Sequence, residues 1–186
     1  MGRTTVGLLH PGEMGAAVGQ CLAAAGHRVL WVPEGRSPAS AARAAAAGLT
    51  AVSSGGLAAL AREAEVIISV CPPYAALDVA RQVAQLVAPF GGVYVDANAV
   101  SPTTAREIAG IAEAGGASYV DGGIIGTPPV TPGFIRFYLS GARAPEVQRL
   151  FAGGQVDARV ISASDSGSAS AMKMAYASWT KGSAAL

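Results

Sequence analysis

Before residue 26 the chain has made a strand, a glycine turn and a helix. Residues 4–9 are a short apolar run closed by His10-Pro11-Gly12, and residues 13–25 carry apolar side chains at helical spacing up to Gly26. No other feature constrains the fold as much, because a strand that feeds straight into a helix is normally followed by a second strand parallel to the first. Residues 27–32 supply that strand, 33–37 form a polar turn, and 38–47 an Ala-rich helix ended by Gly48. The alternation continues with strands at 50–52, 66–70, 93–96 and 117–121 and helices at 57–63, 75–87 and 102–114. Each strand is brief and almost wholly apolar, as strands covered on both faces are. Beyond a Gly- and Pro-rich stretch, 122–133, a strand at 136–140, a helix at 145–151 and a strand at 159–162 extend the same sheet, with one antiparallel member. The pattern predicts an α/β fold with a doubly wound, mostly parallel sheet.

A chain of 186 residues accommodates one such domain, assigned to 1–165, with 166–186 opening a long interdomain helix. That helix carries Met172, Ala175, Tyr176 and Trp179 on one face and has no stop signal, so it is expected to continue past Leu186 into a further domain. Apolar residues make up 51% and charged ones 13%, which calls for a large core or for apolar surface covered by a partner. The 13 basic and 12 acidic residues are scattered without runs, leaving no electrostatic footprint for nucleic acid or an anionic membrane. No apolar run approaches membrane length and the N-terminus enters a strand at once, so a soluble, unprocessed chain is expected. Two cysteines, Cys21 and Cys71, are too few and too poorly spaced for a disulfide framework or a metal site. A reducing, cytoplasmic setting fits them.

The first strand–helix junction reads Val6-Gly-Leu-Leu-His-Pro-Gly-Glu-Met-Gly15. Backbone amides around Gly12, Glu13, Met14 and Gly15 open a helix, where they can hold the diphosphate of a dinucleotide. The usual GxGxxG pattern has glycine where His10 stands, and a tight connection with glycines for packing alone gives the same spacing. About 20 residues on, where a ribose is normally read, stand Glu34-Gly35-Arg36-Ser37. The acid suits the 2′-hydroxyl of NAD, whereas Arg36 and Ser37 suit the 2′-phosphate of NADP. NADP is favoured and NAD stays open. Arg36 reads also as a solvated loop cation, and Ser37 as a plain helix cap before Pro38.

Two more strand ends belong to the same edge of the sheet. Ser69-Val-Cys-Pro-Pro73 leaves one, putting Cys71 and Pro72 at the cofactor edge, and Asp96-Ala-Asn-Ala-Val-Ser-Pro102 leaves the next. Asn98 could meet nicotinamide or substrate, or cap a turn. Of the 13 basic residues eleven are arginines, and the lysines are Lys173 and Lys181. A lysine kept in such a chain can serve where a group must lose its proton, which a guanidinium does not do. Beside the Met172–Tyr176–Trp179 stripe, Lys173 would lie at the margin of buried surface, where desolvation lowers its pKa. The alternative for Lys173, and the reading adopted for Lys181, is a surface lysine lying along its helix.

Taken together, the phosphate loop, Gly35-Arg-Ser37, Asp96-Ala-Asn-Ala-Val-Ser-Pro102, Asp121-Gly-Gly-Ile-Ile-Gly126 and Gly167-Ser-Ala-Ser-Ala-Met-Lys173 resemble the β-hydroxyacid dehydrogenase superfamily. It includes 6-phosphogluconate dehydrogenase, 3-hydroxyisobutyrate dehydrogenase and imine reductases. The resemblance spans essentially all 186 residues and implies a Rossmann domain. It implies that Lys173 is the catalytic lysine that exchanges a proton with substrate during hydride transfer. It implies substrate contacts at Asn98, Ile125 and Gly126, and a helical C-terminal domain through which a homodimer forms. Three positions depart from the family: His10 replaces the first loop glycine, Ile125 a substrate-binding serine, and Ala177 an asparagine one turn after the lysine. Fewer polar partners remain for a sugar acid, which opens the pocket to a more apolar substrate or an imine. The expectation is an NADP-dependent oxidoreductase acting on a small hydroxy acid, ketone or imine. The rival is a protein that binds NADP as a sensor and turns nothing over.

Overall fold

The computed structural model describes residues 2–87, 89–128 and 135–183. Strand β1 (Thr5–Leu9) leads into helix α1 (Glu13–Ala24), and β2 (Arg28–Trp31) into α2 (Pro38–Ala46). There follow β3 (Thr50–Ala51), α3 (Gly56–Glu63), β4 (Val66–Ser69), a 3-10 turn (Pro73–Ala75), α4 (Ala76–Val87), β5 (Val93–Asp96) and α5 (Pro102–Ala114). The chain ends through β6 (Ser118–Ile125), β7 (Ile135–Ser140), α6 (Ala144–Arg149), β8 (Val156–Ser162) and α7 (Ser168–Ser183).

Local chemistry sets many of these boundaries. Helix α1 stops because Gly26 takes a φ of +89°, which lets the His27 amide turn back onto the Leu22 carbonyl at 3.1 Å. The same wrap closes α2 at Gly48 and α5 at Gly116. Helices α2 and α5 start alike, each with a serine whose hydroxyl accepts an amide of the first turn (Ser37 from Ser40, Ser101 from Thr104) and a proline directly after it.

The strands form one sheet in the order β3-β2-β1-β4-β5-β6-β7-β8, the first six parallel. Both faces are covered. Val6, Leu8, Val66, Ile68, Val93 and Val95 pack toward α1, α2 and α6, while Leu9, Ile67 and Tyr94 pack toward α3, α4 and α5. The order reverses beside β1, which pairs with β2 on one side and β4 on the other, and a crevice opens there at the carboxyl ends of the strands.

Three expectations are corrected. Two strands, not one, run against the rest: β7 is antiparallel to β6 and β8 is parallel to β7. Strand β6 does not end at Asp121 but runs on to Ile125, because residues 121–125 pair in register with 136–140 of β7. Gly122 and Gly123, which read as the start of a loop, are strand residues. A Cβ on Gly122 would lie 2.7 Å from the Phe137 ring, and one on Gly123 would lie 2.7 Å from the carbonyl oxygen of Ala169 in α7. Finally, the α7 stripe is exposed: Met172 and Tyr176 are about half open and Trp179 is 76% accessible. The ends of the expected loop, 129–133, and of the expected last helix, 184–186, lie outside the described residues.

Candidate functional site

The glycine turn is built as an anion cradle. Helix α1 begins after Gly12, which provides no side-chain cap, so the amides of Glu13, Met14 and Gly15 have no intrahelical acceptor. A Cβ on Gly12 would meet nothing within 4 Å, whereas one on Gly15 would lie 2.5 Å from the His10 carbonyl oxygen. The second loop glycine therefore faces open space and the third seals the helix against the strand, an arrangement that fits a diphosphate approaching the helix axis. The side chains of this turn point elsewhere: Met14 packs on the core, and Glu13 lines a groove between α1 and α2.

His10 holds a φ of +66°, the left-handed conformation that glycine takes without strain. Its Nδ1 is buried without a partner. Burial, with the Arg36 guanidinium second, brings its pKa down to about 4, so the ring is neutral at pH 7. Arg36 follows a turn closed by its amide on the Pro33 carbonyl at 3.1 Å with Gly35 at φ +71°. Its charge reaches both His10, after β1, and Cys71, after β4. Ser37 is the cap of α2, and its hydroxyl is already engaged there. Sequence reasoning missed Arg43, which ties α2 to the glycine turn through the Pro11 carbonyl at 3.3 Å and Ser40 at 3.3 Å.

At the next corner Asn98 is 3% accessible and uses its amide internally. Its Oδ1 accepts from the Cys71 amide at 2.6 Å, and its Nδ2 donates to Ser69 Oγ at 3.2 Å and to Asp96 Oδ1. It braces the loops after β4 and β5, and both of its amide protons are used within the protein. Cys71 is half-buried, and burial pushes its thiol up and away from reactivity. Pro72 is exposed and opens the 3-10 turn.

Lys173 is placed by a polar row across four strands. Ser69, Asp96, Asp121 and Ser140 are neighbours in register on β4, β5, β6 and β7, and all are fully buried. Asp121 accepts from Ser140 Oγ at 3.2 Å, from the Ser170 amide at 2.8 Å and from Ser170 Oγ at 2.6 Å, while Ser140 Oγ accepts from the Ala169 amide at 3.1 Å. The first turn of α7 is thus capped from the sheet by a carboxylate, which its positive end favours. One turn on, Lys173 Nζ donates to the Ile124 carbonyl at 2.5 Å, and its Cβ would lie 3.1 Å from one placed on Gly123. Burial, with the charge of Lys181 second, holds its pKa below the usual lysine range. The exposed stripe does not do this. Strand β6 does.

Lys173 opens onto a cleft of about 570 Å³ between Pro73, Ala99, Gly126, Thr127 and the α7 residues Tyr176, Ala177, Thr180 and Lys181. Loops from β4, β5 and β6 therefore converge on the lysine. Ile125 is buried at the end of β6, on the face it shares with Gly123, and the lining beside it comes from Gly126 and Thr127. Lys181, read as a surface lysine, also borders the cleft. One signal for the polar row stood in the sequence: Tyr-Val-Asp occurs twice, at 94–96 and 119–121, closing or bending two adjacent strands with a carboxylate. Among the described residues no group of three or more His, Cys, Asp or Glu comes together to hold a metal, and no helix is long and apolar enough to cross a membrane.

Residues 5–144 match the family described as the NAD binding domain of 6-phosphogluconate dehydrogenase. The chain belongs to that family. MTH1747, a conserved protein of unknown function described as similar to 3-hydroxyacid dehydrogenases, superposes with a TM-score of 0.80 at 33% identity over 96% of this chain and 65% of that one. A 3-hydroxyisobutyrate dehydrogenase of Mycobacterium tuberculosis, with L-serine, gives 0.73 at 26% over 94% and 59%. A reductive aminase of Aspergillus terreus, in complex with NADPH4, cyclohexanone and allyl amine, gives 0.78 at 25% over 99% and 63%. The chain spans less than two thirds of the length of each of these structures. No curated protein matches it.

Proposed function

We propose that this chain is the coenzyme-binding part of an NADP-dependent oxidoreductase of the β-hydroxyacid dehydrogenase type. It acts on a small hydroxy acid, ketone or imine, with Lys173 as the proton donor or acceptor. The observation that carries this is Lys173 Nζ, desolvated against Ile124 at the wall of a cleft where three strand ends meet. Glu13, Met14 and Gly15 amides would hold the diphosphate, Arg36 the 2′-phosphate, and Cys71 and Pro72 the face of the nicotinamide side. A bound nicotinamide supplies or accepts the hydride. A lysine with a lowered pKa exchanges a proton with a substrate oxygen or nitrogen near neutral pH more readily than an exposed one. Ala177 at the cleft, which offers no hydrogen bond, favours substrates with few hydrogen-bonding groups, the imine end of the range. The reading includes a cytoplasmic setting, supported by two free thiols, and a homodimer through a further helical domain.

The test is calorimetry with NADPH alongside turnover of the full protein on hydroxy acids, ketones and imines, for the native chain and Lys173→Ala. Unchanged coenzyme affinity with turnover lower by roughly 10²–10⁴ supports the assignment. Tight NADPH binding with no lysine-dependent turnover on any substrate makes the protein a sensor, and no coenzyme uptake overturns both.

A further inference from the structure

Two carboxylates stand side by side in the middle of the sheet, and they are not equivalent. Asp96 and Asp121 are register partners on adjacent parallel strands, so their Cβ atoms are about 5 Å apart. Directly below them Tyr94 and Tyr119 are partners in the same way, two residues back on the same face. Asp121 accepts three hydrogen bonds, two of them from the first turn of α7. Asp96 accepts one side-chain bond at Oδ1, from Asn98, and its Oδ2 is buried with no partner. The Tyr94 and Tyr119 hydroxyls are also buried without partners.

We propose that Asp96 keeps its proton on the acid side of neutrality and acts as a positioning residue, so that the pair there bears one negative charge, carried by Asp121, which keeps α7 and Lys173 seated on β6. The assignment of Lys173 as the proton-exchanging group rests on the function proposed above; the charge state of the pair does not. Among the described residues, the groups that face Asp96 offer it no cation. They are Asp121 and Tyr119 from β6, Tyr94 from its own strand and Cys71 from the end of β4, with Asn98 beside it. Helix α7 contributes Ser170, and its nearest ammonium, Lys173, is engaged by the Ile124 carbonyl. Burial above all, then the charge of Asp121, pushes Asp96 up to about 7 against the opposing hydrogen bonds from the side chain and backbone of Asn98.

When the Asp96 proton leaves to solvent, a second charge appears beside Asp121 at a fully buried position, where screening is weak. The element best able to yield is α7, which is held to the sheet at that end through Asp121 and Ser140. Ionisation of Asp96 therefore loosens the seat of the lysine helix.

The chain is well suited to a direct test, because it has five aspartates and two lysines. Carboxyl-13C aspartate labelling gives five titratable signals and 13Cε lysine labelling gives two, the latter assigned with Lys181→Arg. The expected result is one carboxyl signal that moves with a midpoint near 7 and is missing in Asp96→Asn. The Lys173 signal shows an inflection at the same pH in the native chain and stays at its low-pH position in Asp96→Asn. Asp96 ionised throughout pH 5–8, or a Lys173 signal that responds alike in both proteins, overturns the proposal. Neither readout needs coenzyme or turnover, so failure here is distinct from failure of the proposed function, and correlating each carboxyl signal with its own backbone amide in the native chain assigns it to Asp96 even if the variant does not fold.

Discussion

His10 and Asp96 are the two residues on which the surroundings act most against ordinary behaviour, and they pull stability in opposite directions. Asp96 is raised from 3.8 to about 7, so between those values the folded chain binds a proton the unfolded chain has released, and stability falls as pH rises through the window. The span corresponds to about 4 kcal/mol. His10 is lowered from 6.5 to about 4, so the unfolded chain is the one that binds the proton, and stability rises with pH across that range. Solvent screening at a partly open site reduces its share to about 2 kcal/mol. The larger effect wins in the native protein, and Asp96→Asn removes it while keeping the shape. Urea unfolding should then find the variant close to the native chain at pH 4 and more stable by up to about 4 kcal/mol at pH 8. A gap that does not change with pH would mean that Asp96 is ionised in the folded chain. His10 carries a second cost, its positive φ, of about 1–2 kcal/mol, which explains why a glycine is usual at this loop position.

Among the elements, α7 is the one whose seating decides where Lys173 points, and its close approach depends on Gly123. A Cβ there would lie 2.7 Å from the Ala169 carbonyl and 3.1 Å from Lys173 Cβ, and backbone cannot swing aside as a side-chain tip can. Gly123→Ala should cost about 1–3 kcal/mol of stability and displace the lysine while leaving the glycine turn on α1 untouched. Isothermal titration should show unchanged NADPH affinity and steady-state assays a fall in kcat. Affinity lost in parallel with kcat would mean that the whole fold had moved. The contrast between α1 and α7 also shows what a sequence displays. The strand–turn–helix of residues 5–24 was legible because its signals are local: period, glycine spacing and a cap. Lys173 stood out in the sequence by its rarity and by the motif around it. Its true setting did not, since a Gly-Gly pair reads as a turn, and only pairing with β7 and the packing of α7 make it a strand. Asn98 shows the same limit, because an amide at a strand end looks equally apt for a ligand or for the brace it is.

At the scale of the molecule, all the candidate chemistry lies along one edge, the carboxyl ends of β1, β2, β4, β5 and β6, and the coenzyme would have to lie across it with its adenosine end at β2. The choice between NADP and NAD then reduces to what the β2 turn presents. Glu34 and Arg36 flank Gly35 in an exposed turn, and a 2′-phosphate adjacent to both would gain from one and be repelled by the other. Arg36 is the residue of this turn whose charge reaches His10 and Cys71, at the ends of β1 and β4. A charge-assisted bond to phosphate contributes about 1.5–3 kcal/mol. Arg36→Ala should therefore weaken NADPH roughly 10–100-fold and leave NADH within a factor of about three, read by calorimetry at fixed ionic strength. Equal weakening of both coenzymes would place Arg36 against the adenine ring, and a native chain that binds NADH as tightly as NADPH would reverse the coenzyme assignment while leaving the diphosphate cradle at Gly12 intact.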